Sequence, residues 1–504
     1  MNATPILSID PHINLSLALV YNYLHQSPHL ALSEPSAQAI ETGKSWMDAF
    51  LLEQKQPVYG INTGFGSLCE TRISSDNLQT LQENLVRSHA VGAGEKMPPI
   101  ISALMLWFKA HALAKGYSGV QTETVNKLID LHNRGYFPVV YAFGSLGASG
   151  DLAPLAHLCL PLLGEGELWH NEKVVNATEV LGPQNWQPLS LQAKEGLALL
   201  NGTQFMTSCG AYALVQAFRI SALADKIAAL SIDAFDARPE PFDARLHEIR
   251  LQKGQAKVAK RIRTHLQDSD RFNGPKKHVQ DPYSFRCIPQ VHGASHEVLK
   301  HVQSILEAEI NSVTDNPTIF PGETILSGGN FHGQPLAMAF DYLALAISEW
   351  GNISERRIFQ LISGQRGLKP FLTQEPGLNS GLMIAQYTAA SIASKNKQLC
   401  SPASADSIPS SNNQEDHVSM GANAATRLLQ LCDNVYDILA IELINASQAL
   451  WLNNAKSSNE LDNWLETFRE YVKPIKEDRV LHHDLMAARA FLDAQYLEPS
   501  LLDF

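Results

Sequence analysis

The sequence predicts a mainly α-helical protein, in which a looped, mixed N-terminal part is followed by a long helical bundle. Proline is absent between Pro188 and Pro239 and again between Pro409 and Pro474. Because proline costs about 3 kcal/mol inside a helix, these stretches permit long helices. Apolar residues recur at helical spacing, and segments typical of strands are few. We therefore expect the bundle to begin near residue 200.

The predicted elements follow in chain order. Glu167–Trp169 and Lys173–Val175 would pair as a small hairpin around His170–Glu172. After Pro335, a residue suited to a first helical turn, apolar residues repeat at three and four: Leu336, Phe340, Leu343, Ile347 and Trp350. The same spacing marks one face of a later helix: Leu428, Leu431, Val435, Ile438 and Glu442. These patterns predict two parts, residues 1–200 and 201–504.

Composition excludes several classes of protein. The 504 residues include 39 Lys and Arg against 51 Asp and Glu, a net charge of −12, and 45% are hydrophobic. Such a chain has enough apolar material for a core, and its acidity disfavours nucleic acid as a partner. The six cysteines form no C-x-x-C pair, which argues against both a disulfide framework and a zinc site.

The N-terminal segment and the apolar runs argue against secretion and membrane insertion. The first Lys or Arg is Lys44, so the charged region of a signal peptide is missing. No run approaches the roughly 18 apolar residues that suggest a membrane helix. We expect a soluble, cytoplasmic protein that does not bind a membrane.

Two glycine-rich loops stand out, Gly60–Gly66 and Gly144–Asp151. Neither contains G-K-[ST], so neither is a P-loop. Neither reads G-x-G-x-x-G after a strand, and Gly147–Gly150 lacks the G-x-S-x-G spacing of a hydrolase elbow. We therefore expect no bound nucleotide, and no motif in the chain predicts a metal.

Ala148-Ser149-Gly150 offers another chemistry. Glycine has no side chain, so in a tight turn its amide nitrogen can approach the carbonyl two residues back. A serine between them can lose water and leave an exocyclic methylene on a five-membered ring, which is an electrophile. The alternative is a plain glycine-rich turn that caps a helix starting near Asp151.

The segment Gly144–His157 resembles the signature of the aromatic amino acid ammonia-lyase family, whose Ala-Ser-Gly cyclises to 4-methylidene-imidazol-5-one. Further blocks resemble family blocks in family order: Val58–Gly66, Leu81–Gly94, Glu195–Gln204, Asp281–Gln290, Glu309–Pro317, Ser327–Pro335 and Gln414–Met420. The chain is most similar to members that act on histidine, especially bacterial ones.

The resemblance implies a fold, an assembly and an activity. The N-terminal part would carry the prosthetic ring, formed autocatalytically from Ala148, Ser149 and Gly150. A long helical bundle would assemble into a homotetramer whose sites each draw on three subunits. The implied reaction removes ammonia from L-histidine to give trans-urocanate, the first step of histidine degradation.

The resemblance also implies residue roles. Tyr283 matches the base for the β-proton, and Arg286 matches the arginine that binds the substrate carboxylate. Asn201 resembles the asparagine beside the ring. Tyr59, Gln280 and Phe331 also fall on active-site positions, and Tyr59 joins Tyr283, Ser149 and Glu415 in the implied catalytic set. Taken singly, Tyr283 or Phe331 could be core packing, and Arg286 an interface ion pair.

Substrate choice depends on two features. Ser88-His89 matches the pair of histidine-specific members, although some tyrosine lyases share it. Glu415 matches a glutamate of the same members, and a carboxylate can bind the N–H of an imidazole. Its alternative is a charge at the N-terminus of a helix. A tyrosine or phenylalanine lyase, an aminomutase of the family, and an inactive helical scaffold remain open.

Overall fold

The computed structural model describes residues 5–53 and 57–496, and helices dominate it. These residues form nineteen α-helices and nine strands of two to four residues. No helix in these two ranges is both long and apolar enough to cross a membrane. The predicted mainly α fold is confirmed.

The helices before residue 200 are α1 (Leu17–Gln26), α2 (Glu34–Glu53), α3 (Leu78–His89), α4 (Pro99–Leu113), α5 (Thr122–Asn133), α6 (Leu152–Cys159), α7 (Ala177–Leu181) and α8 (Glu195–Leu200). Those after it are α9 (Gln204–Ala234), α10 (Ala244–Glu248), α11 (Lys253–His265), α12 (Asp270–Asn273), α13 (Tyr283–Arg286), α14 (Ile288–Ile310), α15 (Gln334–Leu361), α16 (Met383–Leu399), α17 (Gly421–Leu452), α18 (Asn459–Tyr471) and α19 (Leu481–Asp493).

The strands form four small sheets. They are β1 (Ile6–Ile9), β2 (His29–Leu32), β3 (Ala93–Lys96), β4 (Phe137–Pro138), β5 (Tyr141–Phe143), β6 (Glu167–His170), β7 (Lys173–Asn176), β8 (Thr318–Phe320) and β9 (Thr324–Leu326). β1 and β2 pair parallel, and the other pairs are antiparallel. The predicted hairpin is confirmed as β6 and β7, which place Trp169 opposite Val174.

The two predicted helical faces are buried. α15 and α17 contain all the residues of the two apolar patterns, and each of these side chains is fully buried. Glu442 sits on the α17 face because Arg357 neutralises it, with Nε 2.6 Å from Oε1 and Nη2 2.9 Å from Oε2. A paired carboxylate can thus occupy a core position in the helical pattern.

The chain divides into two compact units. The first contains Met1–Tyr212, Gln303–Asp341 and Pro402–Arg427, and the second contains Ala213–Val302, Tyr342–Ser401 and Leu428–Phe504. The predicted division into residues 1–200 and 201–504 stays a prediction. Within the first unit, α3 packs against α6 and α8. α6 begins just after the Ala148–Gly150 segment, and α8 ends just before Asn201.

Candidate active site

The first unit encloses a cavity of about 490 Å³. Leucine side chains from α3 and α8 supply much of its wall: Leu81, Leu85, Leu197 and Leu200. Six of the predicted site residues also line it: Tyr59, His89, Ser149, Asn201, Phe331 and Glu415. An apolar cavity with a few convergent polar groups is typical of a small-molecule site.

The Ala148–Gly150 segment is held in a tight backbone conformation. Gly150 has φ of +72° and pairs with Gly202, whose carbonyl accepts a hydrogen bond from the Asp151 amide at 2.8 Å. A Cβ atom at Gly150 would lie 2.2 Å from the Gly202 oxygen. Only glycine allows this close approach of two backbones.

Asn201 lies directly beside Ser149. Its Nδ2 donates a hydrogen bond to the Ser149 carbonyl oxygen at 2.7 Å. Its Oδ1 is buried and has no hydrogen-bond partner among the described residues. A buried acceptor without a partner costs free energy, so this oxygen is available to a bound group in the cavity.

Asp151 is fully buried and organises the start of α9. Its Oδ2 accepts hydrogen bonds from the Phe205 and Met206 amides at 3.0 Å, and its Oδ1 accepts one from Ser145 Oγ at 2.8 Å. Burial raises the pKa of Asp151 to about 7. The residue precedes α6, yet its side chain makes no hydrogen bond to that helix. The alternative predicted a cap for the helix after Asp151, but the side chain instead binds the first amides of α9.

Tyr59 and His89 are half-buried in the cavity wall. The Gly66 amide donates to Tyr59 Oη at 3.4 Å, and Ser88 Oγ lies 3.1 Å from His89 Nδ1. Burial raises the pKa of Tyr59 and lowers the pKa of His89. At neutral pH the cavity therefore contains a protonated phenol and a neutral imidazole.

Glu415 lies on an irregular loop. Its Oε2 accepts a hydrogen bond from Ser410 Oγ at 2.6 Å, and the two residues also pair through their backbones. Three consecutive residues between them have left-handed φ of 51°, 54° and 64°. Since α17 begins only at Gly421, the alternative that Glu415 marks a helix N-terminus is wrong.

The remaining predicted residues belong to the second unit. Tyr283 is 69% exposed, and the Arg286 guanidinium lies 4.4 Å from its ring centroid. With its amide oxygen turned toward Arg286, Gln280 accepts a hydrogen bond from Nη1 at 2.5 Å. Core packing, the alternative for Tyr283, is therefore wrong.

Buried groups support the segment that carries Gln280, Tyr283 and Arg286. Asp281 accepts hydrogen bonds from the Arg238 amide at 2.6 Å and from Arg366 Nη1 at 2.9 Å. Phe285 stacks on Phe235 with ring centroids 4.4 Å apart. The segment is thus anchored on both sides of Tyr283, which fixes where its exposed side chains project.

Two hydrogen bonds that hold cavity residues in place were not predicted. Lys109 donates to the Asn201 carbonyl, and Ser410 donates to Glu415. The sequence could have drawn attention to Lys109, because it is a lone charge in the apolar run 101–114. Ser410 has no such signal, since its role depends on a loop that returns on itself.

Within the described ranges, no three or more His, Cys, Asp or Glu side chains are grouped so that they could hold a metal ion. The expectation of a metal-free site stays a prediction.

Comparison with known proteins gives consistent matches. A family model described as aromatic amino acid lyase matches residues 15–470. Histidine ammonia-lyase of Natranaerobius thermophilus is 45% identical over 477 residues, which cover 94% of each chain. Histidine ammonia-lyase of Streptococcus pyogenes is 42% identical, with 99% of this chain and 98% of that one covered.

Solved structures share the fold. Histidine ammonia-lyase from Trypanosoma cruzi superposes with a TM-score of 0.89 at 40% identity, covering 97% of this chain and 93% of the other. Tyrosine aminomutase from Streptomyces globisporus superposes with a TM-score of 0.92 at 32% identity, covering 97% and 96%.

Proposed function

The chain belongs to the aromatic amino acid lyase family, and we propose that it eliminates ammonia from L-histidine to give trans-urocanate. It is a carbon–nitrogen lyase, and the reaction is the first step of histidine degradation. The observation that supports the substrate most directly is the Glu415 carboxylate, which lines the same cavity as Ser149. An anionic oxygen there can accept the imidazole N–H, which a phenyl ring lacks.

The residues around Ser149 fit a prosthetic ring formed from Ala148, Ser149 and Gly150. Gly150 has a left-handed φ of +72° and lies close against the Gly202 backbone, which supports the tight turn that cyclisation requires. Asn201 donates to the Ser149 carbonyl, the group that would be conjugated to the new methylene. Once formed, 4-methylidene-imidazol-5-one supplies an electrophilic carbon that ordinary side chains lack.

The cavity residues orient the substrate around Ser149. Glu415 binds the substrate imidazole, and the neutral His89 offers a second hydrogen-bonding group on the same wall. Tyr59 keeps its proton and can donate it in a hydrogen bond. The surrounding leucines and Phe331 exclude water, which strengthens each of these polar contacts.

Tyr283, Arg286 and Gln280 complete the chemistry in this proposal. Tyr283 removes the β-proton. Arg286 binds the substrate carboxylate through bidentate hydrogen bonds, and Gln280 lies beside Arg286. We assign these roles within a homotetramer whose sites are shared between subunits. The exposure of Tyr283 supports this assembly, because an exposed tyrosine can reach a substrate held by another copy. A cytoplasmic location stays a prediction from the sequence.

The test is an absorbance assay of the purified protein with histidine, phenylalanine and tyrosine in parallel. We expect urocanate to form far faster than cinnamate or coumarate. Faster formation of either of those products would make the enzyme a phenylalanine or tyrosine lyase. A folded protein that forms none of the three would be an inactive scaffold.

A further inference from the structure

A buried ammonium group lies behind the ring-forming loop. Lys109 is 1% exposed, and its Nζ donates to the Asn201 carbonyl at 2.7 Å and to Gln204 Oε1 at 3.4 Å. Both acceptors are uncharged. Lys194, another buried lysine of this unit, instead has its Nζ 2.6 Å from an Asp315 oxygen.

Burying an ammonium group against neutral acceptors is costly, because the lost hydration is only partly replaced. Burial accordingly lowers the pKa of Lys109 to about 8. A methionine of similar length would fill the same space without this cost. The position of the ammonium therefore calls for an explanation beyond packing.

The carbonyl that accepts the hydrogen bond from Lys109 belongs to Asn201, whose side chain contacts Ser149. Asn201 ends α8 and donates from its side chain to the Ser149 carbonyl. The next residue, Gly202, accepts from the Asp151 amide and lies against Gly150. Moving the Asn201 peptide would therefore disturb both contacts that hold the loop.

We propose that Lys109 is a positioning residue for ring formation, which it assists by fixing the Asn201–Gly202 peptide against Ser149 and Gly150. This rests on the proposed function, in which residues 148–150 cyclise. In that step the Gly150 nitrogen bonds to the Ala148 carbonyl carbon, which also becomes doubly bonded to the Ser149 nitrogen. The Ala148 oxygen leaves as water with the amide hydrogens of Gly150 and Ser149. Ser149 loses its hydroxyl and α-hydrogen as a second water. No oxidant is consumed, and Lys109 remains unchanged.

The test compares full-length wild type with Lys109→Met, Lys109→Gln and the control Ser102→Ala. Ser102 is buried on the same helix, and it also donates to a backbone carbonyl, that of Pro138 at 2.6 Å. Intact mass reports ring formation as the loss of two waters, and circular dichroism reports folding. Since a misplacement of about 1 Å can cost 100-fold, we expect cyclisation of Lys109→Met to slow by about 10- to 100-fold.

We expect Lys109→Gln, which keeps a shorter donor, to cyclise at an intermediate rate and Ser102→Ala to cyclise normally. If Lys109→Met folds and cyclises at the wild-type rate, the positioning role is overturned. If Lys109→Met does not fold, Lys109→Gln decides by the same criterion. Failure of both to fold, while Ser102→Ala folds, would make Lys109 a residue of the fold alone and overturn the proposal. A wild-type mass without the two-water loss would instead refute the ring itself.

Discussion

Ser149 and its neighbours line a cavity within their own unit, whereas Tyr283, beside the half-buried Arg286, is exposed on the surface of its unit. Around Ser149 the decisive contacts are backbone to backbone, such as Gly150 against Gly202, and buried polar side chains fix them. Around Tyr283 the buried groups only support the segment, and the functional atoms project outward.

The difference reflects what each region has to do. A prosthetic ring that forms from the chain itself requires a fixed backbone around residues 148–150. The contacts that fix this backbone therefore have to be in place before cyclisation. A base and a carboxylate-binding group need only a rigid support and access to the substrate. Substitutions of Ser149 and of the groups that hold its backbone should therefore affect ring formation, whereas substitutions in the second region should affect turnover alone.

The largest effect is expected from Ser149→Ala. Without the hydroxyl to eliminate, the mass should match the encoded chain, and kcat should fall about 1,000-fold or more, as when a covalent catalytic group is removed. Mass spectrometry and the urocanate assay measure the two effects. Ser208→Ala, which removes a buried hydroxyl that binds the Gln204 carbonyl within α9, is the control and should retain activity. An active Ser149→Ala enzyme would refute the role of the enclosed region.

Tyr283→Phe should separate turnover from ring formation. Removing a general base lowers kcat by about 100- to 10,000-fold. The two-water loss and the melting temperature should stay unchanged, because the hydroxyl lies on an exposed side chain. Tyr387→Phe, at another exposed tyrosine, is the control and should behave as wild type.

Mixing variants tests whether the two regions meet from different copies of the chain. Tyr59→Phe and Arg286→Ala should each be inactive alone, and subunit exchange between them should restore part of the activity. If mixed oligomers form and remain inactive, the two regions act within one chain or not together at all.

Glu415→Gln tests substrate choice inside the enclosed region. Losing a charge-assisted hydrogen bond costs about 1.5–3 kcal/mol, so kcat/KM for histidine should fall at least about 10-fold. The ring should form normally. Asp416→Asn removes the neighbouring exposed carboxylate and should have little effect. Unchanged histidine turnover in Glu415→Gln would refute the substrate assignment.

Ser410→Ala should give the smallest effect. It removes the hydroxyl that holds Glu415 Oε2, so we expect kcat/KM for histidine to fall about 3- to 10-fold. Because both residues act through one carboxylate, the two substitutions should not be additive in the double variant. Additive losses would mean that Ser410 acts independently of Glu415.

The sequence predicted those helices and strands whose apolar residues recur at the spacing of the element. α15 and α17 follow from their apolar spacing, and the β6–β7 hairpin follows from its strand-forming residues. Asp151 shows the limit of this reasoning. Its position before α6 was predictable, but a carboxylate can bind any free amide within reach, and the amides that it binds belong to α9.

The site residues that could be predicted are those whose side-chain type indicates a chemical role. Ser149, Asn201 and Glu415 were predicted and line one cavity. The exposure of Tyr283 was not predictable, because a lone tyrosine is usually packed in a core. The partner of Lys109 was also hidden, since every residue has a backbone carbonyl and none marks the one that a lysine will hold.

The contact between Gly150 and Gly202 bears on how such an enzyme can evolve. No side chain is tolerated at Gly150, because its Cβ would meet the Gly202 backbone rather than a flexible group. By contrast, His89 lies at the end of α3 and Glu415 lies on the loop after Ser410, so neither belongs to the segments that form this pair of glycines. Substitutions at the cavity wall can therefore change the substrate preference while the two glycines are retained. A lineage can in this way acquire a new amino acid substrate and keep the same electrophilic ring.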